Sequence, residues 1–185
     1  MLPSIIYGHS LVLSGLASII SSSISCKRFF FFLIIVSRQR GEEISLEIVI
    51  KHELPDSGWE IISQTLKEVG MAYYEPHVHK KAFGNSHTSI FVFHSGRLIG
   101  FGRAISDGVY QAAIYDVAVI REFQGRGIGT TIIKNFLSNL PSCNFILYTM
   151  PGKEDFYRKL GFRKMQTGMA LFVKADDMKS RGFTE

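Results

Sequence analysis

Glycine stands at alternate positions in Gln124-Gly125-Arg126-Gly127-Ile128-Gly129-Thr130, just before a stretch with helical periodicity. Without a Cβ, such positions let backbone approach a ligand closely. A helix beginning there turns unpaired N–H groups and the positive end of its dipole toward one point. Together these features suit a phosphate or pyrophosphate. Two familiar phosphate signatures do not fit. A P-loop requires a lysine followed by serine or threonine, and none follows these glycines. A dinucleotide fingerprint requires G-x-G-x-x-G, one residue longer than Gly125-x-Gly127-x-Gly129. The glycines alone therefore define an anion cradle without naming its ligand. His77-x-His79 is the nearest approach to a metal pair, but no cysteine or third ligand accompanies it. No metal is expected.

A cradle of this kind needs a strand before it and a helix after it. Residues 111–120 (QAAIYDVAVI) read as the strand. In the helix expected over 127–140, Ile128, Ile132, Ile133, Phe136, Leu137 and Leu140 form one apolar stripe. Residues 88–94 and 97–106 read as a hairpin turning at Ser95-Gly96, so three antiparallel strands precede the helix. The apolar run 144–149 then reads as a buried strand, parallel to its predecessor across the helical crossover. Upstream, residues 45–51 alternate as a first strand. Ser57 and Glu60 have capping-box spacing ahead of a helix carrying Trp59, Ile62, Leu66 and Val69. Residues 71–87 read as a loop or short helix lining a substrate pocket, with Tyr73, Tyr74 and Phe83 as lining candidates or core, and Glu75 as an attractor of a cationic amine or a solvated residue. Downstream come a short helix over 153–160, strands over 162–165 and 169–174, and a polar tail expected to fray.

The 185 residues suffice for one domain with a core and a short extension. Three segments follow: an extension 1–41, a domain 42–175 and the tail 176–185. The net charge of +5 misleads about partners. Lys27, Arg28, Arg38 and Arg40 lie in residues 1–41 with no acidic residue, leaving 17 of the 21 basic residues against all 16 acidic ones. A nearly neutral domain argues against a nucleic-acid-binding face. Cys26 and Cys143 are too few for a disulfide scaffold. Residues 1–41 are rich in serine, aliphatics and phenylalanine. They read as an upstream extension without a folded role, a transit peptide, or a membrane-associated segment. Lys27 and Arg28 split the apolar span, so neither part reaches the roughly 20 residues of a membrane helix. A cytoplasmic location is expected, with organelle targeting or membrane association through residues 1–41 as the alternative. The oligomeric state is open, a homodimer among the options.

The strand YDVAV, Gln124-x-x-Gly127-x-Gly129, the helix, the next strand and Phe156-Tyr157-x-x-x-Gly161-Phe162 together resemble the GNAT superfamily of acetyl-CoA-dependent N-acyltransferases. The resemblance covers about residues 45–173. A weaker one, through RLIGFGRAISDG and IYDVAV, is to the branch containing plant and cyanobacterial serotonin N-acetyltransferases. Membership implies an α+β fold: a central mixed, largely antiparallel sheet of about six or seven strands flanked by helices, with parallel strands splayed at the acyl-CoA site. It implies transfer of acetyl from acetyl-CoA to a small-molecule or peptide amine by direct attack in a ternary complex. It implies that the backbone of Val117, Ala118 and Val119 holds the thioester arm, with the Val117 N–H at the carbonyl oxygen. Residues 124–130 would bind pyrophosphate, with Arg126 adding charge and Phe156 beside the cofactor. Tyr157 would protonate the departing thiolate. For the base, Asp116 and Tyr115 compete with Glu75, His77, His79 and relayed water. Side-chain alternation puts Tyr115 and Asp116 on opposite faces of their strand. A non-catalytic acyl-CoA-binding domain is the alternative function. Where many members carry an asparagine after the fifth strand, this chain has Thr149-Met150-Pro151-Gly152-Lys153.

Overall fold

The computed structural model describes residues 31–39 and 42–185. Its sheet has six strands in sequential order, β1 Phe31–Gln39, β2 Glu42–Lys51, β3 Thr88–His94, β4 Arg97–Ser106, β5 Gln111–Val119 and β6 Asn144–Ile146. All neighbours are antiparallel except β5 and β6, which run parallel. This is the mixed, largely antiparallel α+β architecture expected. Helices α1 Trp59–Glu68 and α2 Pro76–Gly84 cover one face, and α3 Ile128–Asn139 covers the other. The sheet is therefore sandwiched, which is why β3 and β4 carry near-continuous apolar runs.

On the first face, Trp59, Ile62, Leu66 and Phe83 meet Phe91, Phe93, Leu98 and Phe101. On the second, Ile128, Ile132, Ile133 and Phe136 of α3 meet Ile48, Ile50, Ile90, Val92 and Ile99. Two glycines set how closely α3 lies. A Cβ on Gly100 would fall 2.9 Å from Ile128, and one on Gly102 would fall 3.1 Å from both Ile132 and Val117. The helix start is thereby held against β4 and β5, where the glycine turn must sit.

Several expectations change. The sheet begins inside the segment set apart by composition, because β1 pairs with β2 along its whole length. The boundary at residue 41 therefore runs through a hairpin. The capping box does not form. Pro55 starts a 3-10 turn over Asp56–Gly58, closed by Gly58 N–H to Pro55 C=O at 2.9 Å, and α1 has no side-chain cap bond. Strand β6 ends at Ile146 rather than 149, and residues 162–174 do not pair into strands. The tail does not fray: α4 Glu154–Arg158 is followed by α5 Ala175–Ser180.

Candidate functional site

The site grows from one break in pairing. β5 and β6 pair only through Gln111–Ala113 and Asn144–Ile146. Past that point the two chains diverge, so Ile114 to Val119 border an opening instead of a sixth strand. Ile120 donates to the Ile99 carbonyl at 3.0 Å, which fixes the alternation. Ala118, paired with Phe101, faces β4, and the peptide groups of Val117 and Val119 face the opening. The Ala118 side chain itself lies in the core beneath α1. Gln124 Nε2 donates to the Val119 carbonyl at 2.9 Å and ties the glycine turn to the strand.

The turn has the backbone that the spacing anticipates. Gly125 and Gly127 have φ of 76° and 84°, a region costly for any residue with a Cβ. Gly127 is the N-cap of α3, with no side-chain cap bond, and the first bond of the helix runs from Thr131 N–H to Gly127 C=O at 3.0 Å. Helix geometry therefore leaves the N–H groups of Ile128, Gly129 and Thr130 without partners in α3. Phe156 closes the floor: a Cβ on Gly129 would stand 3.3 Å from its ring. Arg126 stacks over Phe123 at 5.4 Å. The cradle thus fits a diphosphate. Gly127→Ala adds about 1–2 kcal/mol of backbone strain. Acetyl-CoA affinity measured by calorimetry is expected to fall roughly tenfold.

Tyr157 of α4 stands between the rings of Phe156 and Phe162, at 4.9 and 5.8 Å. Burial pushes its phenol above 10.0, and a hydrogen bond with the Thr149 side chain opposes this in part. The hydroxyl therefore keeps its proton at neutral pH. Thr149 lies in the stretch that departs from the family pattern, and its contact with Tyr157 was not legible there.

The middle of β5 is organised by a residue that sequence reasoning missed. Arg103 on β4 pairs with Asp116, Nε to Oδ2 at 2.5 Å, and its guanidinium lies over the Tyr115 ring at 5.2 Å. Tyr115 and Asp116 thus both engage one side chain, contrary to the opposite faces expected. The cause is a bulge: two residues of β5 oppose Gly102, and Asp116 takes φ of 53°. Tyr148, also missed, meets Tyr115 edge-on at 6.0 Å. Its hydroxyl is raised above 10.0 by burial first, then by Tyr115, Asp116 and Tyr74. Tyr74 is exposed and meets the His79 ring edge-on at 5.9 Å. Tyr73 instead lies under Lys67 of α1, Glu75 is the exposed N-cap of α2, and Phe83 belongs to the core.

The two histidines separate on α2, His77 exposed and His79 buried. The Tyr74 N–H donates to His79 Nε2 at 3.0 Å. His79 is thus a pin for the Tyr74 backbone, whose carbonyl also accepts from Ser63 Oγ at 2.6 Å. Burial holds His79 below its ordinary 6.5, with the Asp116 charge opposing and Arg103 assisting. The unfolded chain therefore binds a proton near 6.5 that the folded chain refuses, so this contribution is complete above 6.5 and lost as pH falls. His79→Gln is expected to flatten the fall in Tm between about pH 7 and 5, read by thermal unfolding across that range.

Two surface concavities, of about 300 and 470 Å³, lie beside α1 and beneath α2 and include neither the glycine turn nor Tyr157. Where β5 and β6 stop pairing, the later part of β5 is left without a partner strand on that side. Among the described residues, no three His, Cys, Asp or Glu side chains gather as metal ligands.

Comparison with known proteins agrees with this geometry. The chain is 38% identical over 78 residues to an uncharacterized N-acetyltransferase ycf52 of Porphyra purpurea, covering 40% of this chain and 45% of that one. It is 38% identical over 71 residues to serotonin N-acetyltransferase 2, chloroplastic, of Oryza sativa, covering 37% and 36%. The match thus spans less than half the length of these relatives. A probable acetyltransferase of Staphylococcus aureus shares the fold with a TM-score of 0.60 at 24% identity, over 69% of this chain and 98% of that one. Residues 56–162 match the acetyltransferase (GNAT) family, and with its splayed parallel pair and glycine-capped helix the chain belongs to that family.

Proposed function

We propose that the protein is an N-acetyltransferase that moves an acetyl group from acetyl-CoA to a primary amine by direct attack in a ternary complex. The observation that supports this reading is the start of α3 at Gly127, without a side-chain cap, beside the end of β5 that has lost its β6 partner, with Phe156 packed at Gly129 and the half-buried Tyr157 next to it. The N–H groups of residues 124–130 hold the pyrophosphate, with Arg126 adding charge. The Val117 N–H donates to the thioester oxygen and stabilises the charge that develops as the amine attacks. Much of the acceleration comes from holding two reactants in register. As the carbon–sulfur bond breaks, Tyr157 gives its proton to the sulfur, and the attacking nitrogen gives up a proton to relayed water, from which the phenolate is reprotonated.

Tyr115 and Asp116 line the acceptor side through their shared contact with Arg103. Tyr74 and Tyr148 add aromatic edges. The name of the rice relative makes aromatic amines natural members of a test panel. The same name, "chloroplastic", together with the acid-free residues 1–41, favours organelle targeting over a cytoplasmic location. Cleavage of a transit segment would then fall before Phe31, where β1 begins. Sequencing the mature N-terminus tests this.

Incubation with acetyl-CoA and a panel of serotonin-like amines, polyamines, amino sugars and lysine peptides, followed by free thiol, tests the activity. Amine-dependent thiol release supports the enzyme. Tight acetyl-CoA binding without release by any amine would favour an acyl-CoA-binding domain instead.

A further inference from the structure

We infer that the C-terminal segment, residues 172–183, is a wall of the acceptor site, with Phe183 selecting among amines and Arg181 positioning it. The inference rests on the acetyltransferase reading above. The polar composition of the tail gives no hint of such a role, but the fold builds it with care. Helix α5 ends in a turn where Gly182, at φ of 78°, lets its N–H reach the Lys179 carbonyl at 2.9 Å while Phe183 N–H reaches Met178 at 3.0 Å. This closure throws Phe183 back onto Tyr148, ring centroids 5.9 Å apart. Phe172 meets the same ring at 5.6 Å, and Tyr148 in turn meets Tyr115.

Arg181 ties the far end. Its Nη2 donates to the Gly70 carbonyl at 3.1 Å and lies 3.8 Å from the Met150 sulfur, while its guanidinium covers the Phe183 ring at 5.3 Å. Gly70 closes the end of α1, four residues before Tyr74. The segment therefore spans from Gly70, at the end of α1, to Tyr148, whose ring meets Tyr115 beside the Arg103–Asp116 pair. Its hydrogen bonds and ring contacts run to Gly70, Met150 and Tyr148. A wall so placed meets the amine and not the pyrophosphate.

The test is steady-state kinetics on the full chain with Phe183→Ala, Phe183→Tyr and Arg181→Ala, across small and bulky amines. Loss of one pocket wall is expected to raise the amine KM about tenfold for Phe183→Ala and to shift the bulky-to-small preference by a similar factor. Acetyl-CoA KM stays within about twofold, and Phe183→Tyr restores selectivity. Arg181→Ala gives the same pattern more weakly. Unchanged amine KM and preference in both alanine variants overturns the wall, as does an equal loss for amine and acetyl-CoA. Absence of amine turnover in the unmodified protein overturns the enzyme reading itself and the wall with it.

Discussion

Replacing Tyr157 with phenylalanine is expected to lower kcat by about 10²–10⁴-fold while leaving acetyl-CoA affinity nearly unchanged. The reasoning starts from the ring. It packs against Phe156 and Phe162, contacts that phenylalanine keeps, so the variant preserves the wall of the groove. Only the hydroxyl is lost, and with it the proton for the leaving sulfur and the bond to Thr149. Burial raises the phenol above 10.0. The donor form therefore persists through neutral pH, and activity dependent on it declines only as pH climbs past 10.0. Steady-state kinetics with calorimetric binding separates the two roles. Equal losses of turnover and affinity would make Tyr157 a packing residue.

Replacing Arg103 with alanine is expected to destabilise the fold by about 3 kcal/mol, because it strands a carboxylate in a largely buried place. The paired side chains are only 16% and 23% exposed. Arg103 is the partner of Asp116, packs against Phe83 and Tyr115, and reaches toward Ser86 at 3.4 Å. Asp116 also carries the strain of a positive φ, which its surroundings must hold. A loss of that size lowers Tm by roughly 6–12 °C in a domain of this length. Adding Asp116→Asn to Arg103→Ala removes the stranded charge and should recover more than half. If the single variant unfolds within about 1 °C of the parent, the pair has no structural weight.

Patterns local in the chain were legible. The apolar runs of β3 and β4, the alternation at the start of β5, the stripe of α3 and the glycine turn each depend on residues within a few positions of one another, where the local pattern reports burial directly. Helix α2 was half legible, since it buries only His79 and Phe83 and so carries little periodic signal. The edges read less well. β1 lies in a segment whose composition resembles an extension, and only its pairing with β2 makes it a strand. Residues 162–165 and 169–174 read as strands, the second through a continuous apolar run, yet no ladder receives them.

The sequence by itself determined the fold class, the family and the glycine turn that starts α3. Gln124, Gly127, Gly129 and Tyr157 announce themselves because a helix start without a Cβ and a tyrosine between phenylalanines are local chemical statements. The cluster around Arg103 and Tyr148 was decided by tertiary structure alone. Arg103 and Asp116 are thirteen positions apart and become partners only through a bulge that turns the Asp116 backbone. Tyr148 gathers Tyr115, Phe172 and Phe183 from three separate stretches. Contacts of that kind depend on where strands stop pairing and where a tail folds back, and no local periodicity encodes either.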